Sequence, residues 1–148
     1  MNYKDESIDH HLRATWQAVA KMYNEEAHKF ESTMAMGFAL LNIDQLNGTP
    51  STALGPQMGM EATSLSRILK SMEEKNLIFR EKNPDDGRSV LIKLTDFGRE
   101  KREISKNIVI QFNKKIKEQI TDEQLRNFFE VTKKINQLIS EKLIYNSK

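Results

Sequence analysis

The chain contains no cysteine, so it can form no disulfide, thiolate nucleophile or thiol-based redox switch. Glycine and proline are scarce, at 6 and 3 of 148 residues. Most of them cluster in mid-chain, at Asn47-Gly48-Thr49-Pro50, Gly55-Pro56, Gly59 and Pro84-Asp85-Asp86-Gly87, which leaves both flanks open to long helices. No apolar run approaches the roughly 20 residues needed to span a bilayer. Met1 to His11 is polar and has no apolar signal region, so the expectation is a soluble, cytoplasmic protein without a membrane partner. Neither sign of charge dominates, since 23 Lys+Arg against 21 Asp+Glu leave +2 at pH 7. What is present is length for one compact domain and a 38% hydrophobic content, which suits a helical protein that hides part of its surface in a partner subunit.

The charge is unevenly placed. Residues 1–60 carry a net -3, residues 61–102 a net +2 and residues 103–148 a net +3. Basicity therefore lies in the middle and C-terminal parts. From Ile8 to Phe30 the apolar residues Leu12, Trp16, Val19, Tyr23, Ala27 and Phe30 recur in steps of three and four, which predicts a long helix. Met34, Phe38 and Leu41 lie on one side of a second helix and Leu40 and Ile43 on the other, so that helix is expected to be buried on more than one face. Ser51 or Thr52 can cap a short helix through Met58, with Pro56 awkwardly placed inside it. Leu65, Ile68, Leu69 and Met72 mark a further helix ending near Asn76.

The period then changes. Leu77 to Arg80 and Ser89 to Leu94 read as two short strands joined by the Pro84-Asp85-Asp86-Gly87 turn. Thr95 or Asp96 can start a long helix carrying Phe97, Ile104, Ile108, Phe112, Ile116 and Ile120. Thr121-Asp122-Glu123 starts a last one, with Leu125, Phe128, Thr132, Ile135, Ile139 and Leu143. The fold class is therefore mainly α with a small β-hairpin wing. A helix-turn-helix and its wing are flanked by long helices whose stripes call for a second copy of the chain.

On the helix from Ala62 to Lys75, Thr63, Arg67, Lys70 and Glu74 point away from the apolar face, with Ser64 and Ser66 on its flanks. Small hydroxyls and cations suit a DNA major groove, where an arginine can fork onto guanine, although a solvated surface helix looks the same. The hairpin tip, Asp86-Gly87-Arg88, places an arginine on a narrow ribbon beside a carboxylate that could hold its guanidinium. That shape suits the minor groove, although polar turns of this kind are common. The combination of helix and wing points to double-stranded DNA.

Here the sequence resembles a family. Leu54-Gly55-Pro56-Gln57-Met58-Gly59-Met60, Thr63-Ser64-Leu65-Ser66-Arg67-Ile68-Leu69 and Met72-Glu73-Glu74-Lys75-Asn76-Leu77-Ile78 resemble, in order, the winged helix of the MarR family of bacterial regulators. So do Asp86-Gly87-Arg88 and Leu94-Thr95-Asp96-Phe97-Gly98-Arg99-Glu100. The resemblance implies one chain over 1–148, with a winged helix-turn-helix DNA-binding unit at 33–96 and dimerisation helices at 1–32 and 97–148. It implies a homodimeric transcriptional regulator, a ligand-released repressor on a near-palindromic operator. Ser64, Ser66 and Arg67, with Thr63 and Lys70 beside them, would face the major groove, and Asp86 and Arg88 would form the wing contact. Trp16, Tyr23, Met34, Met36 and Phe38 would line a pocket for a small aromatic or amphipathic effector. The chain departs from the pattern at Gly87, where the family often has an arginine, at Asn76, usually glycine, and at Pro56. Its lack of cysteine excludes the thiol-oxidising branch.

Other constellations are weaker. His10 and His11 point about 100° apart on a helix, and His28 has only Glu25 and Glu31 as neighbours of ligand type, so no metal is expected. No phosphate loop, His-Glu-x-x-His or Gly-x-Ser-x-Gly motif occurs, so neither an enzyme nor a cofactor is expected. The rival reading is a winged helix that docks proteins and ignores DNA.

Overall fold

A computed structural model describes residues 1–145; positions 146–148, the end of the expected C-terminal dimerisation segment, lie outside the described residues. Seven helices and three strands follow in the order α1 (Tyr3–Glu6), α2 (Ile8–His28), α3 (Met34–Asn42), β1 (Thr49–Pro50), α4 (Ser51–Met58), α5 (Ala62–Glu74), β2 (Ile78–Lys82), β3 (Val90–Leu94), α6 (Asp96–Gln119) and α7 (Asp122–Ser140). The chain divides into two compact units, Met1–Ile108 and the residues from Val109 onward, so the boundary falls inside α6. The first expected dimerisation segment, 1–32, and the start of the second thus share a unit with the winged helix.

The core of the first unit is assembled from the apolar faces that the sequence pattern marks. Met36, Ala39, Leu40 and Ile43 meet Leu54 of α4, Leu65, Leu69 and Met72 of α5, and Leu77, Ile78, Ile92 and Leu94 of the strand region. Burying such side chains contributes about 1.5–3 kcal/mol each, which sets the position of α5 from behind. α5 then closes tightly. The Leu77 N–H donates to the Met72 carbonyl oxygen (2.9 Å) and the Asn76 N–H to that of Glu73 (3.0 Å), with Asn76 left-handed at φ 60°. This is a Schellman closure, and asparagine supports it in place of the usual glycine.

Three local features differ from expectation. Ser51 and Thr52 do not cap α4: Pro50 occupies the cap position, and Ser51 is already helical. Pro56 stays inside α4, one turn from its end, so the helix loses a single backbone bond before stopping at Gly59. The wing is one edge of a three-stranded antiparallel sheet of order β1-β3-β2, rather than an isolated hairpin. In the added strand Thr49 pairs with Ile92 and Pro50 with Leu91. Two residues containing a proline read as a turn in sequence, yet an edge position tolerates the missing N–H. Gly48 makes this pairing possible: at φ 73°, a Cβ there would stand 2.8 Å from the Ile92 carbonyl oxygen.

Asp44 organises the approach to β1. Its carboxylate accepts the N–H groups of Asn47 (2.8 Å) and Leu46 (2.9 Å), and these bonds hold its pKa below the usual carboxylate range. α6 starts as expected at Thr95, whose Oγ1 accepts the Gly98 N–H (2.9 Å). Gly98 is required there by close approach, because a Cβ would lie 2.0 Å from the Leu77 carbonyl oxygen. α7 opens with a reciprocal capping box between Thr121 and Gln124.

Candidate nucleic-acid interface

α5 buries Leu65, Leu69 and Met72 and leaves Thr63, Ser64, Ser66, Arg67 and Lys70 exposed along its other side. The expected division of this helix is therefore the one the structure has. Among the described residues neither Arg67 nor Lys70 has a carboxylate within ion-pair distance. By contrast, Arg80 Nε holds Glu73 at 3.0 Å and Lys93 Nζ holds Glu81 at 2.5 Å, which neutralises two cations of the sheet. The first turn of α5 has no side-chain cap, since Glu61 at the cap position makes no such bond. Its leading N–H groups add a partial positive charge to the same end as the hydroxyls.

The wing is built by β2 and β3, registered from Ile78 opposite Leu94 to Lys82 opposite Val90. Its tip is fixed by residues that the sequence pattern did not mark. Asn83 and Ser89 are buried, and Asn83 Nδ2 donates to Ser89 Oγ at 2.8 Å. Asn83 Oδ1 accepts the Asp85 N–H (3.0 Å). The signal available in sequence was the pair of short polar residues flanking the turn, which favour side-chain to backbone bonds. Asp86 acts differently from expectation. Its Oδ1 accepts the backbone N–H of Arg88 (3.0 Å), and no ion pair joins the carboxylate to the guanidinium. Asp86 therefore shapes the turn, and the exposed Arg88 side chain has no carboxylate within ion-pair distance among the described residues.

The expected effector wall is distributed otherwise. The described first unit contains a cleft of about 280 Å³ whose walls include Phe30, Met36, Phe97 and Ile104, with Lys75 and Lys101 among its lining residues. Of the five residues expected to form a pocket, Met36 alone lines this cleft. Tyr23 is buried and packs edge-on against Phe38, with ring centroids 5.8 Å apart, and burial raises its hydroxyl pKa. Trp16 is 53% exposed. Met34 opens α3, its N–H donating to Asn24 Oδ1 (3.0 Å). Helical spacing showed that these side chains share elements, but not which face meets which neighbour.

Among the described residues no three His, Asp or Glu side chains gather as a metal site, and no helix is long and apolar enough to cross a membrane. His11 is engaged locally, with Nε2 2.9 Å from the Asp5 carbonyl oxygen.

Residues 33–90 match the model of the MarR family. The HTH-type transcriptional regulator YdgJ of Bacillus subtilis is 32% identical over 78 residues, 53% of this chain and 48% of that protein, so the chain spans about half the length of this relative. The HTH-type transcriptional regulator SarZ of Staphylococcus saprophyticus is 28% identical over 137 residues, 86% of this chain and 94% of that one. Among solved structures, the S. aureus MepR–DNA complex superimposes with a TM-score of 0.81 at 19% identity, covering 88% of this chain and 96% of that chain. CouR of Rhodococcus jostii, solved with p-coumaroyl-CoA, gives a TM-score of 0.81 at 20% identity, covering 91% and 95%. The segment similar to the MarR family runs from the start of α3 to the wing tip and so carries the exposed cations Arg67, Lys70 and Arg88.

Proposed function

We propose that this chain is a DNA-binding transcriptional regulator that works as a homodimer, a repressor released by a small aromatic or amphipathic ligand. The observation that carries the reading is the exposed face of α5, where hydroxyls and two cations with no ion pair among the described residues lie opposite the buried Leu65, Leu69 and Met72. In this reading Thr63, Ser64, Ser66, Arg67 and Lys70 meet the major groove. Arg88 enters the minor groove on a turn that Asp86 holds. The dimer follows from the second unit, where Phe128, Val131 and Ile139 are more than half exposed on α7 and a second copy of the chain would cover them. The likeness to MepR, solved with DNA, supports this assignment, and that to CouR, solved with an acyl-CoA ligand, supports an effector.

The test is binding of the full chain to duplexes chosen from a random pool, read between about 50 and 200 mM salt. A dimer contacting about 6–10 phosphates should lose roughly 10³–10⁵ in affinity over that range. Absence of salt-dependent duplex binding would overturn the reading and favour a protein-docking winged helix.

A further inference from the structure

An asparagine or aspartate followed by glycine can rearrange its own backbone, because no Cβ keeps the glycine nitrogen from the side-chain carbonyl before it. The chain has two such pairs, Asn47-Gly48 and Asp86-Gly87, and both leading residues are exposed. In an unfolded chain at neutral pH the asparagine pair is the faster, since a carboxylate must be protonated before its oxygen can leave. The fold reverses that order.

Gly48 is locked. Its N–H donates to the Asp44 carbonyl oxygen (3.0 Å), and the Asn47 N–H donates to the Asp44 carboxylate (2.8 Å). At φ 73° the residue lies close against β3, where an added Cβ would stand 2.6 Å from Lys93 Cγ and 2.8 Å from the Ile92 carbonyl oxygen. Ring closure there would have to break the turn that leads into β1. Gly87 is held by none of this. Among the described residues its N–H makes no hydrogen bond. A Cβ on it would meet nothing within 4 Å, and its φ is not positive, so neither space nor conformation calls for glycine at this position. Asp86 Oδ1 accepts the Arg88 N–H (3.0 Å), which folds the carboxyl group back over the intervening Gly87 peptide.

We propose that Asp86-Gly87 is a self-modifying site at the wing tip, where aspartate converts to isoaspartate and so disables the wing. The Gly87 nitrogen bonds to Cγ of the protonated Asp86 carboxyl, and the amide proton leaves with the carboxyl hydroxyl as water. The product is a five-membered succinimide, and water then adds to one of its two carbonyls. Opening the bond from nitrogen to Cγ restores aspartate. Opening the bond from nitrogen to the main-chain carbonyl carbon leaves isoaspartate, in which the chain runs through Cβ and Cγ and the old carbonyl becomes a free carboxylate. The water released is the water consumed, so no mass is gained or lost.

Two hydrogen bonds of the tip depend on Asp86 in its normal linkage. Its carboxylate holds the Arg88 N–H, and its carbonyl oxygen accepts the Ser89 N–H (3.2 Å). Isoaspartate exchanges these two groups and lengthens the backbone by one carbon, so Arg88 leaves the position that the register of β2 and β3 gives it. The isomerisation stands on this geometry alone, while the lost DNA contact rests on the DNA-binding reading above.

The experiment ages the full chain for several weeks in warm buffer at neutral pH. Peptide mapping with electron-transfer fragmentation separates isoaspartate from aspartate, and a mass gain reports deamidation. Isoaspartate at residue 86 should appear faster than deamidation at residue 47, and chain aged in denaturant should show the opposite order. Gly87→Ala and Asp86→Glu should each slow the change at residue 86 by ten-fold or more. The first puts a Cβ on the attacking residue, and the second would need a six-membered ring. Thermal melts confirm that both variants are folded. The isoaspartate fraction of aged wild-type chain should bind a selected duplex ten-fold or more weakly than fresh chain, while aged and fresh Gly87→Ala should bind alike. Faster change at Asn47 in the folded chain, or undiminished isomerisation in both variants, would overturn the site. Isoaspartate without loss of duplex affinity would overturn the disabling of the wing. A fresh chain that binds no duplex refutes the DNA-binding reading and that disabling with it, while leaving the isomerisation in place.

Discussion

Between Met1 and Ile108 the large apolar side chains go inside: Leu40, Ile43, Leu54, Met72, Ile78 and Ile92 are almost fully buried. From Val109 to Tyr145 no residue is buried, although the apolar periodicity is just as regular. Phe128 is 56% exposed and Ile139 59%. Both regions obey the same helical spacing, so the pattern states that a face will be buried but not against what. The first unit answers with its own strands and helices. The second is left with a stripe whose burial, in the reading proposed here, comes from another chain.

The contrast is most directly broken on α7. Ile135→Asp with Ile139→Asp should dissociate the dimer and reduce operator affinity by at least a hundred-fold, because each half-site would then be bound alone. Sedimentation at micromolar concentration checks the assembly, and a wild-type chain that sediments as a well-folded monomer would refute the proposed dimer. The complementary change is Leu69→Ala, which opens a cavity behind α5 in the first unit. It should cost about 2–5 kcal/mol of stability and lower the melting temperature, while the dimer persists below that temperature. Equal loss of assembly in both variants would erase the distinction between the two units.

A finer comparison lies within the first unit, between helix and wing. Arg67→Ala should cost about 1–3 kcal/mol at one base pair and relax the choice of base there, if the guanidinium forks onto guanine. Arg88→Ala should instead weaken all duplexes and reduce the salt slope by about one unit, with any preference for A·T-rich flanks lost. Operator titrations at several salt concentrations, with matched and flank-swapped duplexes, separate the two. Identical behaviour would reassign Arg67 to phosphate and pass base reading to Ser64 and Ser66. Asp86→Ala should reproduce the wing phenotype only in part, because its carboxylate holds a backbone N–H and not the guanidinium.

The smallest effect concerns pH. The Asn47 and Leu46 N–H groups keep the folded Asp44 carboxyl below its ordinary pKa. Its contribution is then complete above the unfolded value of about 3.9 and is lost as pH falls through the lower folded one. The Leu46 and Asn47 amide resonances should therefore hold steady from pH 8 to about 5 and move only under stronger acid. Asp44→Asn should show no such transition, and a shift near neutrality would refute the assignment.

How much of this was legible in advance varies along the chain for identifiable reasons. α5 was readable because it has one strongly apolar face and one polar face, so spacing alone divides Leu65, Leu69 and Met72 from Thr63, Ser64, Ser66, Arg67 and Lys70. The caps at Thr95 and Thr121 were readable because capping is local chemistry between residues three apart. β1 was not, since two residues carry no period, and their pairing with Leu91 and Ile92 spans some forty positions. The cleft was hidden for the same reason: Phe30, Met36, Lys75 and Phe97 lie on four separated segments, and the Lys75–Glu31 bond spans 44 residues.

The sequence by itself determined where α6 and α7 begin, which faces are apolar, the cation-and-hydroxyl face of α5 and the Asp86-Gly87-Arg88 tip, because each depends on neighbours within about one turn. Tertiary structure alone decided that Asp86 bonds a backbone N–H and that Tyr23 and Phe38 pack on each other away from the cleft. It alone joined the end of α5 to the end of α2 through Lys75. Those outcomes depend on which distant surfaces meet. A one-dimensional pattern fixes what a face will seek, and only the packed chain fixes what it finds.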